Sequence, residues 1–265
     1  MPHEPVGDVS LYFELHDFCE PWRAARSPIV FLHGLGGSHA MWLYQVPAFC
    51  DRFPVITVDL RGHGQSSGGD ADFGMADMAR DVARLLRNLG VGRAHIVGLS
   101  LGGMVAQQVA LDSPVAVASL VLADTLAGAP AGAEVLMRDA LRFIEEGDMA
   151  EIAKARITNA FSDRVDAAMR DYFIDQVARN DKSAYVRAAR AAFGFNTRER
   201  LGEISAPTLV VVGEDDRVTP PVCSEELAAG IRGARLVRIP GGGHITNVEF
   251  PREFNGALKD FLLPL

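Results

Sequence analysis

The sequence predicts an α/β fold, a mostly parallel central sheet flanked by helices, with a small helical cap inserted late in the chain. Three observations carry that expectation. Short, near-continuously apolar runs alternate with helical segments through most of the 265 residues, the pattern of a parallel sheet buried on both faces. The segment 127–203 breaks the alternation and reads as helix only. Glycine-containing turns such as His33-Gly34 and Arg61-Gly62 end the early runs, at the carboxyl edge where open α/β sheets place ligands.

The strands follow in order as PIVFL at 28–32, VITVDL at 55–60, AHIVGL at 94–99, SLVLA at 119–123, TLVVV at 208–212 and RLVRI at 235–239. A run at 10–15 is expected to pair antiparallel at one edge. Between them, residues 75–89 put Met78, Val82, Leu85, Leu86 and Leu89 on one helical stripe, with Asp77, Arg80, Asp81 and Arg84 facing water. Gly90 follows as the C-cap. Residues 101–111 are apolar nearly all round, as for a helix buried against the sheet centre. A helix over 220–229 is expected to start after Thr219 as N-cap, with proline in its first turn. A last helix spans about 251–261. The inserted segment reads as helices over 133–146, 149–160, 165–179 and 183–193, a cap that would roof the carboxyl edge.

Composition narrows the function. Hydrophobic residues make up 48% and charged residues 23%, an ordinary globular balance. Lys plus Arg is 26 against 34 for Asp plus Glu, a formal charge of -8, which argues against nucleic acid or an anionic membrane as the main partner and leaves a small-molecule substrate. The cysteines, Cys19, Cys50 and Cys223, are odd in number and contain no CxxC pair, unlike a disulfide framework or a zinc site. The stretch from Met1 to Ser10 has no apolar signal-peptide core, and no run of about 18 apolar residues occurs. The cytoplasm is therefore the default location. No H-E-x-x-H, Walker loop or helix-opening G-x-G-x-x-G is present, so neither metal nor organic cofactor is expected. Oligomeric state is not fixed by the sequence.

Two segments match G-x-S-x-G: one around Ser66 and one around Ser100. The pattern has chemical meaning only on a tight strand-to-helix turn that exposes the hydroxyl. Ser100 has a strand before it and a helix after it, whereas Ser66 sits in a glycine-rich loop. Ser100 is therefore the candidate nucleophile. At a helix N-terminus the N–H of Leu101 can stabilise developing negative charge. A second donor is expected from the loop His33-Gly34-Leu35-Gly36-Gly37, and the N–H of Leu35 is the choice. His33 is read as a brace for that loop. Of the seven histidines, His244 alone follows the last strand, carried by a glycine run to the carboxyl edge. The acid is expected after TLVVV, where Glu214, Asp215 and Asp216 stand together. Asp216 is chosen, with Asp215 and then Asp124 as alternatives, the last otherwise a cap for the loop leading into the insertion. The order Ser, acid, His describes acyl transfer. His244 takes the Ser100 proton, Asp216 orients the imidazole, and water resolves an acyl-enzyme.

HGLGG at 33–37, DLRGHGQS at 59–66, GLSLGGMVAQ at 98–107, GEDDRVTP at 213–220 and GGHITNVEFPREF at 242–254 together resemble the α/β-hydrolase superfamily, most nearly the 3-oxoadipate enol-lactonase-like serine hydrolases. The resemblance implies an α/β-hydrolase core over 1–126 and 204–265, a helical lid over 127–203, and hydrolysis of a small ester or lactone. HGLGG departs from the lactonase pattern toward that of general esterases and of hydrolases that cleave carbon–carbon bonds in ring-cleavage products. Those hydrolases form the second reading, and a ligand sensor that signals through its lid forms the third. Arg138, Arg142, Arg156, Arg179, Arg187 and Arg190 are the lid cations able to meet a substrate carboxylate, although the many acids of the same segment make most of them solvated helix faces with i,i+4 partners, and no single arginine stands out. Trp42, Met104, Phe143, Phe161 and Phe193 are candidates for an apolar pocket wall, with core packing the commoner fate of such residues.

Overall fold

The computed structural model describes residues 2–22 and 26–265; Met1, the first residue of the polar amino-terminal stretch, lies outside them. The chain begins with β1 (His3–Pro5), β2 (Ser10–His16), β3 (Ile29–Leu32), α1 (Val46–Phe49) and β4 (Val55–Val58). It continues through α2 (Met75–Asn88), β5 (Ala94–Leu99), α3 (Leu101–Asp112) and β6 (Val117–Ala123). Helices α4 (Glu134–Glu146), α5 (Met149–Ala160), α6 (Ala167–Ala178) and α7 (Lys182–Phe193) follow without a strand. The chain ends with β7 (Thr208–Gly213), α8 (Pro221–Gly230), β8 (Arg235–Ile239), α9 (Thr246–Glu249) and α10 (Pro251–Leu262).

Among the described residues, eight strands form one sheet in the order β1-β2-β4-β3-β5-β6-β7-β8. Every pairing from β4 to β8 is parallel. β2 pairs antiparallel with β4, as expected, but it is not the edge. The outer position belongs to β1, which pairs His3 with Tyr12 and Pro5 with Ser10. Three half-polar residues carry too little hydrophobic pattern to announce a strand.

Burial on both faces explains the unbroken apolar runs. Val30, Leu32, Ile96 and Leu122 pack on one side with α2 and α3. Ile29, Phe31, Val97 and Val121 pack on the other with α10 and the inserted helices. The chain order reverses at β3, which has β4 on one side and β5 on the other. Such a switch point opens a crevice at the strand ends.

Local chemistry sets the helix boundaries. Gly90, at φ 72°, closes α2 with the paired bonds Val91 N–H to Leu86 O and Gly90 N–H to Arg87 O. Asp148, Asp166 and Asp181 cap α5, α6 and α7, each carboxylate accepting a backbone N–H three residues on. Asp166 thereby starts α6 at Ala167 rather than at 165. Thr219 does not cap α8: its hydroxyl is bonded elsewhere and Pro220 occupies the cap. Among the described residues no helix is long and apolar enough to cross a membrane.

Asp81 is the other departure. It is 1% exposed rather than facing water. Its carboxylate takes both Nε and Nη2 of Arg61, at 2.7 and 2.9 Å, while Asp8 takes Nη1 and Nη2 from the outside. A loop guanidinium that far away in sequence is invisible to helical periodicity. Removing one partner leaves a buried charge uncompensated, which costs about 3–5 kcal/mol. Asp8 moderates that loss, so Asp81→Ala is expected to destabilise the fold by about 3 kcal/mol, read from the midpoint of urea unfolding. A change within 0.5 kcal/mol would show that the pair contributes no net stability.

Candidate active site

The site is built where β5 turns into α3. Ser100 has φ 53° and ψ -116°, a conformation side chains rarely adopt, and it projects its hydroxyl from the strand end. Two glycines make the turn possible. A Cβ at Gly98 would lie 2.2 Å from the Gly102 carbonyl oxygen, and one at Gly102 would lie 2.1 Å from that of Leu32. The turn is anchored by Ser100 N–H to Ala123 O at 2.9 Å and by the Thr125 hydroxyl, which donates to Ser100 O at 2.7 Å.

The loop after β8 brings His244 to this point. Its backbone N–H donates to Ala160 O at the end of α5, and a Cβ at Gly243 would be 2.7 Å from the same oxygen. The glycine run therefore permits close approach, not flexibility alone. His244 Nε2 lies 2.8 Å from Ser100 Oγ, and Nδ1 lies 2.9 Å from Asp216 Oδ2. A carboxylate only accepts, so Nδ1 carries the proton and Nε2 is free to accept from the serine hydroxyl.

Asp216 and its neighbours are separated by the turn after β7. Glu214 and Asp215 are exposed and Asp216 is buried. Asp216 Oδ1 accepts the N–H groups of Val218 and Thr219 at 2.8 and 2.9 Å, and Oδ2 accepts the Thr219 hydroxyl at 2.8 Å. Burial opposes its ionisation, but the His244 imidazole and the Thr219 donors outweigh that, and the carboxyl lies below its ordinary range. Thr219 is a site residue that sequence reasoning missed, because Thr-Pro before a helix reads as a cap.

A family model described as the alpha/beta hydrolase family matches residues 29–257. The chain belongs to the α/β-hydrolase family. It is 36% identical over 264 residues to a "putative carbamate hydrolase RutD" of Variovorax paradoxus, with 96% of each chain covered. It is 30% identical over 243 residues to "3-oxoadipate enol-lactonase 1" of Acinetobacter baylyi, with 88% of each covered. The crystal structure of the enol-lactonase from Burkholderia xenovorans LB400 superposes with a TM-score of 0.91 at 27% identity, covering 99% of this chain and 100% of that one.

In this α/β hydrolase the other candidates have structural occupations. Asp124, at φ 45°, accepts the Gly213 N–H at 3.0 Å and both the N–H and the hydroxyl of Thr246. It ties β7 to the His244 loop rather than capping the entry to the insertion. Burial, with Asp216 nearby, raises its pKa well above the usual carboxylate range. Ser66 donates to Asp59 O and accepts from Tyr12 N–H, pinning its loop to β2. Leu35 is the second residue of a turn closed by Gly37 N–H to Gly34 O, with Gly36 at φ 80° supplying the left-handed position. Leu101 opens α3, so its N–H has no acceptor inside the helix. His33 braces the loop as expected, its ring nitrogens meeting Gly34 O and Leu60 N–H.

A cavity of about 30 Å³, open to the centre of a water molecule, contains Ser100 and His244 and is walled by Leu35, Met41, Val177, Val218 and Ile245. None of the five anticipated wall residues lines it. Trp42 is fully buried and stacks on Phe31 at 4.6 Å, Phe161 packs on Phe173, and Phe143 is 42% exposed. A larger cavity of about 690 Å³, between the 62–70 loop and the start of α7, contains none of the three side chains.

Burial lowers the pKa of three histidines: His33, His63 (to about 3) and His95 (to about 4), all from the ordinary 6.5. A depressed folded-state pKa means the folded chain resists protonation that the unfolded chain accepts. The associated stability is full above pH 6.5 and is lost as pH falls toward 4 and 3. At pH 5 the loss is about 2 kcal/mol for each of His63 and His95, before carboxylates titrate. The melting temperature is expected to fall between pH 7 and pH 5, with a shallower slope in His95→Asn. A flat profile over that range would contradict the assignment.

Proposed function

We propose that this α/β hydrolase is a serine hydrolase that cleaves a small ester or lactone through an acyl-enzyme. The observation that carries the reading is the unbroken row from Ser100 Oγ to His244 to Asp216, with links of 2.8 and 2.9 Å. His244 Nε2 takes the hydroxyl proton as Ser100 attacks the carbonyl carbon. Asp216 holds the tautomer and stabilises the imidazolium. The N–H groups of Leu35 and Leu101 receive the oxyanion. The proton on His244 passes to the leaving oxygen, and water, activated by the same imidazole, releases the acid and frees Ser100.

Helices α4–α7 serve as the lid in this reading. Ile157 and Ala160 of α5 and Val177 of α6 line the cavity with Ser100, whose small volume requires the lid to move for entry. Free thiols at Cys19, Cys50 and Cys223 suit a reducing cytoplasm.

A carbamate is the second substrate class, favoured by the likeness to the Variovorax protein. Its carbonyl is open to the same attack, with an amine or alcohol as leaving group. A panel of short-chain esters, five- and six-membered lactones, carbamates and vinylogous diketones separates the bond classes. Turnover confined to the diketones would favour carbon–carbon cleavage, and a single turnover without release would favour a sensor. Ser100→Ala is expected to reduce kcat by several orders of magnitude while the chain stays folded by circular dichroism. Asp216→Asn is expected to lower kcat about 10⁴-fold, whereas Asp215→Asn leaves it within about threefold, because Asp215 is exposed and outside the row. Near-normal turnover in Ser100→Ala or Asp216→Asn overturns the reading.

A further inference from the structure

One cation sits in the wall of the cavity that holds Ser100 and His244. Arg156, on α5 beside Ile157, lines it, and among the described residues no other Lys or Arg and no carboxylate does so. The rest of the wall is apolar apart from the serine and the imidazole. Arg156 is half-buried, and among the described residues its guanidinium has neither a carboxylate within 4.0 Å nor a hydrogen bond. Of the other lid arginines singled out from the sequence, Arg138 and Arg179 are exposed and do not line this cavity, and three have partners. Arg190 pairs with Glu145 at 2.8 Å, Arg142 with Glu146 at 3.9 Å, and Arg187 donates to Gly69 O.

A guanidinium held against an apolar wall without a counter-ion is a site of unmet electrostatic demand. The nearby acids do not meet it. Asp216 is saturated by Val218, Thr219 and His244, and Asp124 by Gly213 and Thr246. A second unmet donor stands close by. Tyr185 is fully buried, and its hydroxyl has no partner among the described residues. Its ring closes on Gly36 of the turn that carries Leu35. Burial pushes the phenol pKa up while the Arg156 charge pulls it back, which places the two groups within electrostatic reach.

We propose that Arg156 is the specificity-determining residue of this site and binds a carboxylate on the substrate, so that the substrate is an anionic ester, lactone or carbamate. The inference rests on the serine-hydrolase reading and deepens it. Arg156 and Ser100 line the same cavity, so the carboxylate stands a short chain away from the scissile carbonyl. Arg156 touches no reacting atom. It fixes the register of the carbonyl over Ser100, and its loss appears in KM before kcat.

The test uses two esters of matched shape, p-nitrophenyl hydrogen succinate and its uncharged isostere p-nitrophenyl 4-methylpentanoate. The native enzyme is expected to prefer the anionic ester. Arg156→Gln is expected to lower kcat/KM for the anionic ester about 10- to 100-fold, mainly through KM, while the neutral ester changes less than about threefold. Arg156→Lys is expected to recover part of the loss. Equal losses on both esters, or none on either, overturn the proposal. Succinate binding by calorimetry separates its failure from that of the serine-hydrolase reading. If the native enzyme hydrolyses neither ester and no ester, lactone or carbamate of the wider panel, that reading falls. Binding of succinate to native and Ser100→Ala protein but not to Arg156→Gln still supports the subsite. Equal binding in all three, or binding in none, rejects it.

Discussion

Ser100 stands at φ 53° and ψ -116°, a conformation that costs a residue with a side chain about 1–3 kcal/mol. The turn that imposes it depends on two neighbours without side chains. Gly98 and Gly102 lie so close to the Gly102 and Leu32 carbonyls that any Cβ would overlap them. The same constraint delivers three things together: a hydroxyl lifted off the sheet end, an unbonded N–H at Leu101, and α3 running back against the sheet. The strain is offset by the burial of α3, whose Leu101, Val105 and Val109 are each no more than 1% exposed. A well-packed parallel sheet is therefore the support of the candidate site as well as its location.

The partners of Ser100 are positioned by backbone rather than by long side chains. His244 is fixed by its own N–H on Ala160 O, and Asp216 by the N–H groups of Val218 and Thr219. Asp124 adds a buried cross-brace between β7 and the His244 loop. Two carboxylates thus face the same loop with different occupations. Asp216 is held ionised against the imidazole. Asp124, deeper and beside that negative charge, has its ionisation opposed. The inserted helices are part of this frame, since the end of α5 supplies the acceptor for His244, and Asn180, just beyond α6, donates to Gly36 O.

The strands were legible because burial on both faces writes long apolar runs, and the sheet returned them within about two residues. Ser100 and His244 were legible by position, one between a strand and a buried helix, the other after the last strand. Asp216 over Asp215 needed the turn after β7, in which Asp215 N–H bonds Gly242 O and its side chain faces outward. What the sequence hid were pairings between distant segments. Asp81 with Arg61, Thr219 with Asp216, and Thr125 with Ser100 O are contacts no local periodicity encodes. β1 was hidden by its shortness. The pocket wall was not legible for a related reason. Large aromatics such as Trp42 are consumed by the core, and the cavity is left to Leu35, Met41 and Val177.

The most direct test of the account is covalent labelling of the folded enzyme with a small alkyl fluorophosphonate, followed by peptide mass spectrometry. The account predicts one adduct, on Ser100, absent in Ser100→Ala and sharply slowed in His244→Ala. Labelling at Ser66, or equal labelling of Ser100 with and without the imidazole, would contradict it.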